Sequence, residues 1–213
     1  MKILIVAGLA DFIPEENFDQ YIGIDRGSLY LLEKKKPLDL AVGDFDSVSE
    51  LELKKITDKA VSMIKLLAEK DETDLEVALD WVLENFPAAE LTIVGALGGR
   101  LDHLLTNIFL VTRGKYQTLA AQTRLLDQQN IVRYLTPGSH LLHRLPGYKY
   151  IGFVQLESQD TLAIEGAKYP LKAEENFSSI YASNEFISDK MTVSLKIGMV
   201  MVIYSGDRKR EKI

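Results

Sequence analysis

Cysteine is missing from this chain, which excludes disulfides, thiolate catalysis and cysteine-bound zinc. The absence is compatible with a reducing compartment. Long apolar runs are missing too. The N-terminal stretch MKILIVAGLA is too short to span a bilayer and is soon followed by Asp11 and Pro14, so it reads as a first buried strand and not as a signal peptide. No other run approaches membrane length, and the expectation is a cytoplasmic protein with no membrane partner. Basic charge is not in excess: 25 Lys and Arg stand against 31 Asp and Glu, a net charge of −6. A general nucleic-acid surface is therefore not expected, although metal ions can still bring a nucleotide to an acidic site. The chain has no G-x-x-x-x-G-K-[ST] loop, hence no Walker-type site. Repeats and low-complexity segments are absent as well. What remains is ordinary for a globular protein: 213 residues, 46% hydrophobic and 26% charged, enough for one large domain or two small ones.

The first part of the chain alternates strands with helices. Lys2 to Ala7, Tyr21 to Ile24, Leu38 to Val42 and Leu91 to Val94 read as strands, and Val61 to Leu67 as a strand or a helix. Between them, Leu29, Leu31 and Leu32 begin a helix that the Lys34-Lys35-Lys36 run and Pro37 terminate. Ser47 or Ser49 caps a short helix through Leu51, Leu53 and Ile56. Leu75, Ala78, Leu79, Val82, Leu83 and Phe86 form a stripe of helical period that Pro87 ends. Trp81, beside that stripe, reads as packing. A further helix runs from Leu101 to about Thr112 with Leu104, Leu105, Ile108 and Phe109 inside. This alternation predicts a mostly parallel, Rossmann-like α/β sheet covered on both faces. After about residue 120 the pattern changes to short β-like runs broken at Pro137-Gly138, Pro146-Gly147, Gly166, Ser183-Asn184 and Gly198. That half reads as an all-β sandwich or jelly roll. The boundary is expected near residue 136, giving domains 1–135 and 136–213, with a charged, frayed tail from Asp207.

The most informative stretch is Gly43-Asp44-Phe45-Asp46-Ser47, which follows the third strand. Open α/β sheets place ligands at the carboxyl ends of their strands. In an extended chain, Asp44 and Asp46 face one side together and Phe45 turns to the other, into the core. Two close carboxylates repel unless a cation or proton lies between them, and hard oxygen ligands suit Mg²⁺. A solvated Asp-rich turn is the alternative. Three other loops at strand ends carry the same theme: Asp25-Arg26-Gly27, Asp71 to Asp74, and Gly98-Gly99-Arg100-Leu101-Asp102. Each has a purely structural explanation. Thr73 to Glu76 is a capping box, Asp102 can cap its helix, and Gly98-Gly99 can be a tight turn. Taken together they supply carboxylates for a metal, an arginine for phosphate charge, and glycines at a helix N-terminus for close phosphate approach. Those parts fit phosphoryl-type transfer from a nucleotide.

The segments IGIDRG (22–27), VGDFDS (42–47), EKDETD (69–74), GALGGRLDH (95–103) and YASNEF (181–186) together resemble the thiamine pyrophosphokinase family in its bacterial form. The resemblance covers nearly the whole chain, in order. It implies transfer of the ATP pyrophosphate to the thiamine hydroxyl, giving thiamine diphosphate and AMP. It also implies an N-terminal α/β domain that binds ATP and Mg²⁺, a C-terminal β-sandwich that binds thiamine, and a homodimer with active sites at the subunit interface. By the same resemblance, Asp44, Asp46 and Asp74 match the Mg²⁺ ligands. Asp25, Arg26 and Gly27 match the ATP-cleft segment. Asp71 and Thr73 lie in the nucleotide-binding loop, and Gly98, Gly99, Arg100 and Asp102 match the element beside the phosphates. Asp71 and Asp102 are both candidates to accept the hydroxyl proton, and Arg100 to stabilise transition-state charge. Ser183 and Asn184 match residues that meet the thiamine pyrimidine. Tyr169 stands where some relatives place a tryptophan that packs on the thiamine ring; tyrosine can stack too. Two other readings remain open: a different Mg²⁺ enzyme using Asp-x-Asp, such as a nucleotide-sugar transferase or phosphohydrolase, and a non-enzymatic nucleotide sensor. Neither requires the thiamine-facing residues.

Overall fold

A computed structural model describes residues 1–67, 71–157 and 161–207. Glu69 and Lys70 of the EKDETD stretch, and the tail beyond Asp207, lie outside the described residues. The chain divides into two compact units, Met1–Asp127 and Gln128–Ile213.

The first unit contains β1 (Lys2–Val6), β2 (Gln20–Ile24), α1 (Arg26–Glu33), β3 (Leu40–Gly43), α2 (Glu50–Lys59), β4 (Ser62–Lys65), α3 (Asp74–Asn85), β5 (Glu90–Val94), α4 (Leu101–Leu110), α5 (Gln117–Ala120) and β6 (Thr123–Leu126). Its strands run in the order β6-β5-β1-β2-β3-β4, and each neighbouring pair is parallel. The near-continuous apolar composition of β1 follows from this, because a central parallel strand is covered on both faces; Ile3, Leu4, Ile5 and Val6 are fully buried. The chain moves from β1 outward to β4 and then returns to the other side of β1 with β5. That reversal makes a switch point where the loops after β1 and β5 diverge. The loops after β2, β3 and β4 lie side by side at the same carboxyl edge.

Local chemistry sets the helix ends. Ser49, not Ser47, caps α2 in a capping box with Glu52, and Thr73 caps α3 in the same way with Glu76. The lysine run closes α1 with a Schellman motif. Lys35 takes a left-handed φ of 56°, Lys36 N–H donates to Leu31 O at 2.9 Å, and Lys35 N–H donates to Leu32 O at 3.1 Å. The α3 stripe is buried through Leu75, Ala78, Leu79 and Val82, and Trp81 packs edge-on against Phe86 at 5.4 Å between ring centroids. The α4 stripe departs from expectation. Of that helix only Leu110 is buried; Leu104, Ile108 and Phe109 are partly covered, and Leu105 is 46% exposed. Helical periodicity identifies an apolar face but does not say that this chain alone covers it.

The second unit is antiparallel. It holds β7 (Asn130–Leu135), β8 (Gly138–His143), β9 (Tyr150–Gln155), β10 (Ala163–Glu165), β11 (Ile180–Asn184), β12 (Lys190–Leu195) and β13 (Val200–Ser205). One sheet has the order β11-β9-β13-β7 and the other β10-β12-β8. A single core draws Ile151, Phe153, Val202 and Tyr204 from the first sheet and Leu142, Ile164, Met191 and Val193 from the second. The unit begins at Gln128, ahead of the residue-136 boundary read from the sequence, because β7 is paired with β13 along its whole length. Ser183-Asn184, read as a break, instead ends β11: a register shift between Tyr181 and Asn184 absorbs the irregularity within a strand.

Replacing the fully buried Leu79 with Ala should cost about 2–5 kcal/mol of stability, measured by urea unfolding. The same change at the exposed Leu51 of α2 should stay within about 0.5 kcal/mol.

Candidate active site

Asp25 is the one residue between β2 and α1, and it stands at the helix N-cap. Aspartate there ordinarily caps through its side chain, but this one makes no cap bond. Its backbone takes φ 45° and ψ −119°, a conformation that costs energy in any non-glycine residue and clusters at functional sites. Two hydrogen bonds hold it to the end of β3. Asp25 N–H donates to Val42 O at 2.9 Å, and Asp25 Oδ1 accepts from Phe45 N–H at 3.1 Å. Gly43 makes the approach possible, since a Cβ at that position would lie 1.9 Å from Asp25 Oδ1. Gly27 is constrained likewise: its Cβ would meet Val6 O at 1.9 Å. Arg26, exposed on the next position, donates from its guanidinium to Ser47 O at 3.3 Å. The β2 loop is thus bound to the Asp44-Phe45-Asp46 loop at several points.

That second loop is a turn, not an extended segment. Phe45 takes a left-handed φ of 60° and is buried, as expected for its ring. Asp44 Oδ1 accepts from Asp46 N–H at 3.0 Å, the local bond of an Asx turn. Strand alternation therefore does not govern which way Asp44 and Asp46 face. Asp44 is half-buried, whereas Asp46 is exposed.

Asp74, the first residue of α3, completes the group. Its side chain shares a hydrogen bond with Asp25. Burial pushes the Asp25 carboxyl up to about 7; the hydrogen bond and repulsion from Asp74, and repulsion from Asp44, act in the same direction, while the Phe45 N–H opposes them. Two carboxylates sharing a proton are a pair that a cation would relieve, and their hard oxygens suit Mg²⁺. Among the described residues, no three His, Cys, Asp or Glu side chains are gathered closely enough to hold a metal. Asp71 is exposed in the loop after β4, and Thr73 has its hydroxyl engaged in the α3 cap, where it accepts from Glu76 N–H at 3.3 Å.

The loop after β5 has its own arrangement. Gly98 and Gly99 take φ values of 110° and 68°, which turn the chain into α4. Arg100 is the N-cap of that helix, so Asp102 is not. The Arg100 guanidinium donates to both Asp102 oxygens, at 3.2 and 2.6 Å, on the open surface. That bond, with the His103 N–H, holds the Asp102 carboxyl low, at about 2, which makes it a weak proton acceptor at neutral pH.

In the second unit, Tyr169 is 58% exposed and lies in the loop after β10. Ser183 is exposed with a left-handed φ of 59°. Asn184 is not a surface residue: it is 3% exposed, and its amide is bonded to the Tyr169 backbone. Three features escaped the sequence reading. The contact of Asp25 with Asp74 and the steric need for Gly43 had one available signal, a glycine directly ahead of the acidic turn. The burial of Asn184 had none, because Ser-Asn reads as a turn.

Comparison with known proteins follows the same division. Residues 15–122 match a family model described as thiamin pyrophosphokinase, catalytic domain. Residues 139–200 match one described as thiamin pyrophosphokinase, vitamin B1 binding domain. A thiamine pyrophosphokinase of Bacillus subtilis (strain 168) is 34% identical over 212 residues, covering 96% of this chain and 98% of the relative. A solved thiamin pyrophosphokinase family protein from Enterococcus faecalis is similar with a TM-score of 0.92 at 40% identity, over 98% of this chain and 100% of that one. Yeast thiamin pyrophosphokinase, at 16% identity, shares the fold with a TM-score of 0.77 over 96% of this chain and 86% of its own.

The Asp25 environment predicts a pH dependence. Asp25 keeps its proton up to about pH 7 in the folded chain, against the ordinary carboxylate value of 3.8. The folded state binds more protons across that window, so stability should fall as pH rises from about 4 to about 7 and then level off. Asp25→Asn should flatten this slope. Thermal unfolding of the nucleotide-free protein across the window tests it; an unchanged slope in Asp25→Asn would contradict the assignment.

Proposed function

The chain belongs to the thiamin pyrophosphokinase family, and on that premise we propose that it transfers the pyrophosphate of ATP to the hydroxyl of thiamine. The observation that carries this reading is that both units match, the first to the catalytic domain and the second to the vitamin B1 binding domain. In the reaction, the thiamine hydroxyl oxygen attacks the β-phosphorus of ATP. The bond from that phosphorus to the oxygen of the α-phosphate breaks, AMP leaves, and the hydroxyl proton passes to a carboxylate. Asp71 and Asp102 are the two candidates for that carboxylate, since Asp102 regains proton affinity once Arg100 leaves it. Arg100 itself can exchange Asp102 for phosphate oxygens, since the pair is exposed and such pairs are weak. There it would stabilise charge that develops on the transferred group.

ATP is proposed to lie along the carboxyl edge of the first unit, at Asp25, Arg26, Gly27, Asp71, Thr73, Gly98, Gly99 and Arg100. Asp44, Asp46 and Asp74 are the proposed ligands of Mg²⁺, which when bound neutralises phosphate charge. The hydrogen-bonded Asp25–Asp74 pair beside Asp44 supports a cation there. Thiamine is proposed to meet the second unit at Tyr169 and Ser183. We read that unit as a β-sandwich, supported by the core its two sheets share. A homodimer is proposed as the working assembly, supported by the apolar face of α4, where Leu101 and Leu105 stay exposed. A cytoplasmic site of action fits the cysteine-free composition, and no described helix is long and apolar enough to cross a membrane.

Incubation with ATP and Mg²⁺ should release AMP only when thiamine is present, with thiamine diphosphate formed in equal amount. Thiamine-independent phosphate release would move the reading to a phosphohydrolase. ATP binding with no AMP would favour a sensor. Asp44→Asn and Asp74→Asn should each lower kcat by about 10²-fold or more while the fold, followed by circular dichroism, is retained. Near-normal turnover in either would count against the metal assignment.

A further inference from the structure

We infer that Asn184 is a positioning residue for the thiamine site, acting through Tyr169 and not by touching the substrate. The inference rests on the reading that the second unit binds thiamine at Tyr169.

Asn184 ends β11 and is 3% exposed. A buried amide is costly unless its hydrogen bonds are made. Here they are. Oδ1 accepts from Tyr169 N–H at 3.0 Å and from Glu185 N–H at 2.9 Å, and Nδ2 donates to Tyr169 O at 2.8 Å. One side chain thus satisfies both backbone groups of Tyr169, as an antiparallel strand partner would. Tyr169 lies outside any strand, so it has no ladder of its own to hold it.

The rest of the loop is closed around this contact. Ile164 and Leu171 exchange backbone bonds of 2.8 and 3.0 Å, which pins the two ends. Ala167 bridges Phe186, and Lys168 N–H donates to Glu185 O at 2.9 Å. The Lys168 ammonium bonds Glu185 at 2.6 Å and stands 5.6 Å from the centre of the Tyr169 ring. The backbone of Tyr169 is therefore fixed while its ring stays 58% exposed. A fixed exposed ring suits an aromatic substrate, because the stacking geometry is set before binding.

The β11 irregularity explains how the amide reaches the inside. The register shifts between Tyr181 and Asn184, and Ser183 takes a left-handed φ of 59°. Such a bulge re-aims side chains. It turns Ser183 outward and Asn184 inward, so two adjacent polar residues take different roles.

A double-mutant cycle on the full-length protein tests this. Tyr169→Ala and Asn184→Ala should each raise the thiamine KM about tenfold, with the effect absent from the ATP KM. The double variant should be no worse than Tyr169→Ala alone, since Asn184 then has nothing to position. Fold-changes that multiply in the double variant would mean direct substrate contact and overturn the inference. So would a wild-type thiamine KM in Asn184→Ala. Asn184→Asp, run through the same cycle, keeps the side-chain size and loses the donor to Tyr169 O; it serves if the alanine variant fails to fold, and the same outcomes decide. Hydrogen exchange at the Tyr169 amide is read in parallel and does not depend on turnover. Protection that persists in Asn184→Ala overturns the inference by itself. Protection lost in that variant, with no thiamine diphosphate made by the wild type, upholds the positioning role and overturns the thiamine reading.

Discussion

Like charge gathered at one edge of a sheet is the constraint on which the catalytic unit depends. Parallel strands β2, β3 and β4 end side by side, and each delivers a carboxylate-bearing loop. Burial raises the Asp25 carboxyl to about 7, and the hydrogen bond and charge of Asp74 and the charge of Asp44 add to it, so the fold holds a strain that a proton or a cation relieves. The surrounding backbone is arranged to sustain it. Asp25 gives up the capping role its position offers and adopts a strained φ. Phe45, also left-handed, anchors the neighbouring turn by burying its ring and lending its N–H to Asp25. Gly43 leaves the space through which that carboxylate passes. Helices α2 and α3, by contrast, follow the capping rules fully. The left-handed Asp25 and Phe45 fall in the loops that carry the proposed chemistry, as expected when function and stability compete.

The second unit meets a different requirement with the same economy. The proposed thiamine contact at Tyr169 needs an exposed ring in a defined place, and exposed loops are ordinarily mobile. One buried amide, delivered by a bulge in β11, supplies the missing backbone partners and fixes the loop. In both units a polar side chain far away in sequence holds the backbone of a loop, and the loop then presents a group to solvent.

Much of this was legible in the residues. The strands and helices of the first unit follow from apolar runs and 3.6-residue stripes, and the capping boxes are written as S-x-x-E and T-x-x-E. The Lys34–Lys36 run marked a helix end, although the Schellman closure at Lys35 depended on a left-handed residue that composition does not announce. Elsewhere local reasoning failed for identifiable causes. Alternation along Asp44-Phe45-Asp46 assumed an extended backbone, and the backbone there is a turn. The stripe on α4 is apolar but half-exposed, because periodicity reports hydrophobicity and not what covers it.

The amino-acid sequence alone determined the main strands and helices of the first unit, where the acidic and glycine-rich loops fall, and the family to which they belong. The elements and loops are properties of short windows, set by side-chain size, charge and backbone preference, and the family follows from several such windows taken in order. Which carboxylates share a proton, which glycine clears the way for Asp25, and whether Asn184 faces inward were decided only by tertiary structure. Those outcomes depend on strand order and on bonds between residues distant in the chain, and no local pattern of residues specifies either.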